Sequence, residues 1–245
     1  MSDPVFLVDA LPAGPTAVLD GDEGRHAATV RRIGVGERLL LVDGAGGVAR
    51  CEVSAARKDA LELTIVDVSR TPAPTPRLVV VQALPKGDRG ELAVEVLTEA
   101  GVDEIVPWQA ARCITRWRDA RGEKALGRWR STAREAAKQS RREWLPIVTS
   151  AATTGEIKQR LAKADLALVL HEEASIPLSG IQFPQAGDMA EVILVVGPEG
   201  GIAPDEIDAF AVAGARAVRL GPSVLRTSTA GVAALAVVSA LTRRW

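Results

Sequence analysis

Ile193-Leu194-Val195-Val196-Gly197-Pro198-Glu199-Gly200-Gly201 is an apolar run of strand length that stops in a glycine-rich turn. Pro204, Asp205 and Glu206 then open a helix that ends near Gly214, since proline suits the first helical turn and acidic side chains suit the positive helix start. The same alternation surrounds this stretch. Leu78–Leu84, Val102–Val106, Ala167–Leu170 and Ala217–Leu220 read as strands beside Val192–Val196. Between the first two, Glu91, Glu95 and Glu99 form the wet stripe of a helix that Gly101 terminates. Strands alternating with helices predict an α/β fold, a parallel sheet covered by helices.

Upstream, the pattern changes. Arg70–Arg77, RTPAPTPR, holds three prolines in eight residues and can sustain neither a helix nor an inner strand, so it reads as a linker. Before it, Val5–Val8, Arg38–Val42, Val48–Val53 and Leu61–Val66 are short β-prone runs, punctuated by the turn Asp43-Gly44-Ala45-Gly46-Gly47. With one short helix around Arg25–Arg32, they predict a small, mostly β, barrel-like domain. The expected division is 1–71 for that domain, 72–77 for the linker and 78–245 for the α/β domain.

With 47% hydrophobic and 25% charged residues, the 245-residue chain has the composition of a folded soluble protein rather than a disordered or fibrous one. The start MSDPVFLVDALPAGP has no basic segment followed by a sustained apolar one, and no stretch approaches the ~18 apolar residues of a membrane span. A cytoplasmic protein without membrane attachment is expected. Cys51 and Cys113 lack CxxC spacing and only His26 and His171 accompany them, so two reduced thiols and no metal site are expected. The net charge of −1 conceals an asymmetry, because residues 112–143 carry eleven Lys or Arg against four Asp or Glu. Within that block, a helix around Ala125–Ser140 sets Leu126, Trp129 and Ala133 on an apolar face and Arg134, Lys138 and Arg141 on a basic one. Such a face is either simply solvated or tracks a phosphate backbone.

Two strand ends carry the residues suited to chemistry. In an open parallel sheet, ligands bind beyond the carboxyl ends of strands, and glycines there let a ligand approach the backbone. The turn Gly197–Gly201 is one such end; it is either a tight connection or a cofactor cradle, and its spacing is not GxGxxG. The second runs from Val218 through Leu220-Gly221-Pro222-Ser223-Val224-Leu225-Arg226 into Thr227-Ser228-Thr229 and an apolar helix. N-capping by one of the three hydroxyls accounts for part of it. It leaves Arg226, a cation at the positive end of a helix, which asks for an electron-rich partner: Glu199 or a ligand.

Taken together, Leu84-Pro85-Lys86-Gly87-Asp88-Arg89, Glu99-Ala100-Gly101-Val102, Gly197–Gly201 and Leu220–Thr227 resemble, in order and spacing, the RsmE family of 16S rRNA uracil-N3 methyltransferases. Arg25-His26 and Arg31-Arg32 resemble that family's PUA-like β-barrel. The resemblance spans nearly the whole chain; the chain departs from it at Ser228 and at Ala137-Lys138. It implies a SPOUT-type parallel sheet with helices on both faces and a C-terminal trefoil knot, and a homodimer using S-adenosylmethionine.

Carried over by position, the implied cofactor pocket comprises Leu170 and His171, then Gly197, Pro198, Glu199, Gly200 and Gly201, and finally Leu220, Gly221, Val224, Leu225 and Thr227. His171 is either a cofactor contact or a packed or surface residue. Removing the N3 proton of uracil requires stabilising the imide anion, the role that falls to Arg226, while Glu199 can orient Arg226, complement the sulfonium or act as the base. Contacts to 16S rRNA or the small subunit are assigned to Arg25, His26, Arg31 and Arg32, to Lys86, Arg89 and Arg112, and to Arg134, Lys138 and Arg141. Methylation at another rRNA or tRNA position and a non-catalytic RNA-binding assembly factor are the alternatives.

Overall fold

The computed structural model describes residues 3–245. The chain forms two compact units: the N-terminal part up to Ala73 together with Ala137–Leu145, and Pro74–Ala136 together with Pro146–Trp245. A boundary drawn only at the proline-rich segment omits the short return of residues 137–145.

In the first unit, β1 (Val5–Leu7) and β2 (Thr16–Leu19) precede a short helix, α1 (Gly21–Arg25), which continues as a π-helical turn over His26–Val30; β3 (Arg38–Val42), β4 (Gly47–Ala56) and β5 (Leu61–Arg70) follow. They form one sheet in the order β1-β3-β4-β5-β2, antiparallel except for β1 against β3. Along β4, Ala49, Cys51 and Val53 point inward and Arg50, Glu52 and Ser54 outward, the two-residue period of a half-buried strand. The inward set packs with Phe6, Leu39, Leu41, Leu61 and Leu63. Register shifts at Arg50/Cys51 and Val53/Ala55 mark bulges, which curl the sheet. The β3–β4 turn is tied by Asp43, whose Oδ1 accepts the Ala45 and Gly47 N–H groups, both at 2.8 Å, and whose Oδ2 accepts from Arg70. Residues 137–145 dock on this turn: a side chain at Gly44 or Gly46 would strike Leu145 or Trp144, and Trp144 Nε1 donates to the Thr71 carbonyl at 3.1 Å.

In the second unit the order is β6 (Arg77–Ala83), α2 (Arg89–Glu99), β7 (Glu104–Trp108), α3 (Asp119–Gln139, belonging to the first unit from Ala137 onward), β8 (Ile147–Val148), α4 (Thr154–Leu161), β9 (Leu166–Leu170), β10 (Glu191–Val196), α5 (Pro204–Val212), β11 (Arg216–Val218) and α6 (Thr227–Leu241). Six parallel strands lie in the order β11-β9-β10-β6-β7-β8. Helices cover both faces. Gln82 and Val196 point to one face, where they meet Gly231 of α6, which packs beside α2; Ala83 and Trp108 point to the other, where Trp108 lies 5.3 Å from Phe210 of α5. Trp129 is a core residue, 2% exposed and edge-on to Trp117 at 4.9 Å.

At the amino ends of the strands, Arg77 and Arg160 each pair with both Glu104 and Glu191. Because all six strands run the same way, the segments after β9, β10 and β11 emerge together at the opposite end. Cys51 and Cys113 are both buried free thiols, and burial pushes the Cys51 thiol up to about 11. Among the described residues, no helix is long and apolar enough to cross a membrane.

Candidate functional site

Where β9, β10 and β11 end, the chain encloses a cavity of about 310 Å³, a size suited to a small organic ligand. Leu170, His171 and Glu172 line it from β9, and Val196 to Glu199 with Gly201 and Ile202 from β10. Beyond β11 come Arg219 to Gly221 and Ser223 to Thr227. Every residue expected at the cofactor pocket is therefore in its wall except Gly200.

The glycines differ in what they do. A Cβ at Gly197 would lie 2.6 Å from Ile202 Cγ1, so this glycine lets the loop fold on itself. At Gly200 the Cβ would lie 3.4 Å from Arg112 Cβ, so its bare face is turned to Arg112 and not to the cavity. Gly201 has φ +72°, a backbone conformation other residues adopt at a cost. Only at Gly221, among the glycines in the wall, would a Cβ meet nothing within 4 Å. That backbone is open to close approach by a ligand.

Arg226 is the N-cap of α6, with φ −68° and ψ 151°. Its carbonyl accepts the Thr229 and Ala230 N–H groups, both at 2.9 Å, and no side-chain hydroxyl caps the helix. The capping expected of Thr227, Ser228 or Thr229 is thus absent; Thr229 Oγ1 instead donates back to the Arg226 carbonyl at 3.3 Å. Glu199 does not pair with Arg226. Its Oε1 accepts the Lys86 N–H at 3.3 Å and faces Arg89 Nη1 at 3.9 Å. Among the described residues no carboxylate pairs with the exposed Arg226 guanidinium, which stands in the cavity wall at the positive end of a 15-residue helix.

His171 is oriented by its own turn: its N–H donates to the Val218 carbonyl at 2.9 Å and its Nδ1 accepts the Glu173 N–H at 3.2 Å. Glu172 and Arg219 also line the cavity and escaped sequence reasoning, although each adjoins a residue singled out there; Ser223, inside the quoted Leu220–Thr227 segment, lines it too. Gln82 was signalled by nothing local. It is fully buried in β6, and its Nε2 donates to the Thr227 carbonyl at 3.3 Å, fastening the start of α6 to the sheet.

The basic residues divide between the units. In the first, Arg25, His26, Arg31, Arg32 and Arg141 are exposed, Arg25 pairing with Asp22 and His26 lying edge-on to Phe6 at 6.2 Å. Lys138 is different, for its side chain is 10% exposed and its ammonium pairs with Glu23 at 3.0 Å. In the second unit, Lys86, Arg89 and Arg112 are exposed and Arg134 half-buried, while Arg112 Nη1 donates to the Gly200 carbonyl at 3.2 Å. Among the described residues no three His, Cys, Asp or Glu side chains gather as metal ligands. The cavity thus offers aliphatic walls, an open backbone, two carboxylates and three guanidiniums, a set that suits a ligand with a flat apolar part and charges of both signs.

Comparison with known proteins bears on this site. A model of an RNA methyltransferase domain matches residues 71–239, and one of an RNA methyltransferase PUA domain matches residues 19–66. The ribosomal RNA small subunit methyltransferase E of Mycobacterium tuberculosis is 52% identical, over 98% of this chain and 93% of that protein. The protein of the same name from Bacillus subtilis is 30% identical, over 92% and 90% of the two chains. Among solved structures, a ribosomal RNA small subunit methyltransferase E from Neisseria gonorrhoeae, bound to S-adenosyl methionine, superposes with a TM-score of 0.85 at 28% identity, covering 98% of each chain.

Proposed function

Because this chain belongs to the ribosomal RNA small subunit methyltransferase E family, with an RNA methyltransferase domain after a PUA domain, we propose that it methylates N3 of a uridine in 16S rRNA, using S-adenosylmethionine. The observation that carries the reading is the cavity itself: an open backbone at Gly221 between aliphatic walls, with the unpaired Arg226 beside it. Bound there, S-adenosylmethionine supplies an electrophilic methyl group on sulfur. The fit is that of a cradle which a side chain at Gly221 would fill, flanked by Leu170, Leu220 and Leu225 for an apolar ring and by Glu172 and Glu199 for positive charge.

The chain's own residues then manage the uracil. Arg226 faces the carbonyl oxygens and favours the imide anion, the charge that develops as N3 gives up its proton to solvent water before the nitrogen takes the methyl group. Glu199 orients Arg89 rather than Arg226, so a second guanidinium is held in the wall. Arg25, Arg31, Arg32 and Arg141 of the first unit, with Lys86 and Arg134 of the second, supply positive charge for rRNA phosphates. Lys138, committed to Glu23, is left out of that set. The reading includes a homodimer; Val224 and Leu225, 78% and 40% exposed at the cavity, are apolar surface that a second copy could cover. With rRNA as its substrate, the chain would work in the cytoplasm.

Incubating the purified chain with methyl-labelled S-adenosylmethionine and small ribosomal subunits, with and without chelator, tests the proposal. Nuclease digestion should yield labelled 3-methyluridine in both. Label in a 2′-O-methyl nucleotide, or label in tRNA offered in a parallel incubation and none in the subunits, would move the activity to another position, and RNA binding without label would leave an assembly factor.

A further inference from the structure

Outside the cavity wall, one buried carboxylate joins the start of α5, the bend after β7 and the start of α4. Glu206, at the third position of α5, is 5% exposed. Its Oε2 accepts the Ala203 N–H at 3.2 Å, as a helix-capping glutamate does. A cap needs nothing more, yet Oε1 accepts two further bonds, from the Ala111 N–H at 2.8 Å and from Thr154 Oγ1 at 2.7 Å. Thr154 in turn accepts from Trp108 Nε1 at 3.2 Å, so the end of β7 and the start of α4 are both fastened to α5. The bend after β7 is gripped a second time by Arg116, which donates to the carbonyls of Ala110 at 3.0 Å and Ala111 at 2.7 Å.

That bend delivers Arg112 to the loop. Its guanidinium donates to the Gly200 carbonyl at 3.2 Å, and its Cβ and carbonyl oxygen occupy the space next to the missing Gly200 side chain, 3.4 and 3.5 Å from where a Cβ would stand. Within the loop the Gly201 N–H donates to the Pro198 carbonyl at 2.9 Å, and the Arg112 bond ties that turn to the neighbouring bend. Neither Glu206 nor Arg112 lines the cavity. We propose that Glu206 and Arg112 are positioning residues for the cavity rim: Glu206 sets the 110–112 bend, and through it Arg112 clamps the Gly200 carbonyl and fixes the 197–201 loop for S-adenosylmethionine. Arg112 thereby leaves the set of expected RNA contacts. The inference rests on the reading that this cavity takes the cofactor.

Calorimetric titration of the full chain with S-adenosylmethionine, alongside thermal unfolding, separates positioning from simple stability. Arg112→Ala should raise Kd about tenfold, the equivalent of about 1.4 kcal/mol, with Tm nearly unchanged because the side chain is exposed. Arg112→Lys, still a donor, should recover part of the affinity. Glu206→Gln keeps one acceptor but turns an NH2 group toward donors, and should raise Kd by a similar factor. If Glu206 acts through Arg112, Glu206→Gln with Arg112→Ala should weaken binding about tenfold, as each single change does, and not about a hundredfold. Lower Tm with unaltered Kd in Glu206→Gln, or multiplying effects in the pair, would overturn the inference. Unchanged affinity in Arg112→Ala would do so even if Glu206→Gln did not fold. A wild-type chain that fails to bind S-adenosylmethionine would instead overturn the cofactor reading on which it rests.

Discussion

At the scale of single residues, Arg226 sets the sharpest requirement. A guanidinium opposing a helix dipole, with no carboxylate partner among the described residues, is stabilised when an anion binds beside it. If that anion is the uracil imide, Arg226→Ala should slow single-turnover methyl transfer by roughly a hundred- to a thousandfold, as losing one stabilising donor of about 2.7–4 kcal/mol does. Arg226→Lys should keep part of the rate, and the alanine variant should recover toward high pH, where the imide ionises unaided. A wild-type pH profile in the alanine variant would remove the role. Gly221 sets the second requirement: Gly221→Leu should fill open space and weaken S-adenosylmethionine binding in calorimetry with Tm little changed, and unchanged affinity would exclude that backbone from the ligand's path. The strand-end residues were legible because each lies in sequence directly after an apolar run. The difference between Gly200 and Gly221 was not, since it depends on Arg112, 88 residues away from Gly200.

At the scale of elements, the Asp43 turn carries the β3–β4 connection. Burial alone would raise its carboxyl value, but the Ala45 and Gly47 N–H bonds and Arg70 outweigh it and hold the group below its ordinary 3.8. A lowered folded value means stability that is complete above the ordinary one and is lost as pH falls through the folded one. Asp43→Ala should therefore cost about 1.5–3 kcal/mol in denaturant unfolding at pH 7, as the loss of hydrogen bonds to a charged group does. The gap from wild type should narrow as the pH drops below 3.8, and a gap independent of pH would refute the assignment. This turn, the long strands and the proline-rich break could be read from composition alone. Two features could not. β2 is mostly exposed and short, so it lacks a period, and the membership of residues 137–145 is decided by Trp144 and Leu145 meeting glycines about a hundred residues earlier.

At the scale of the whole molecule, parallel strands bring the segments after β9, β10 and β11 to one end of the sheet, so residues 170–172, 196–199 and 223–227, separated by tens of residues, form one wall. Nothing local foretells buried Gln82; Glu206 is legible as an acid in the first turn of α5, but its bonds to Ala111 and Thr154 are tertiary. The reaction assigned to that wall leaves a stable mark on the ribosome, and the mark is the most direct test. Small-subunit rRNA from cells lacking this chain should be digested and its nucleosides quantified by mass spectrometry. The account predicts that one 3-methyluridine disappears, returns when the wild-type chain is supplied, and does not return with Arg226→Ala. Undiminished 3-methyluridine, or the loss of a different methylated nucleoside, would contradict it.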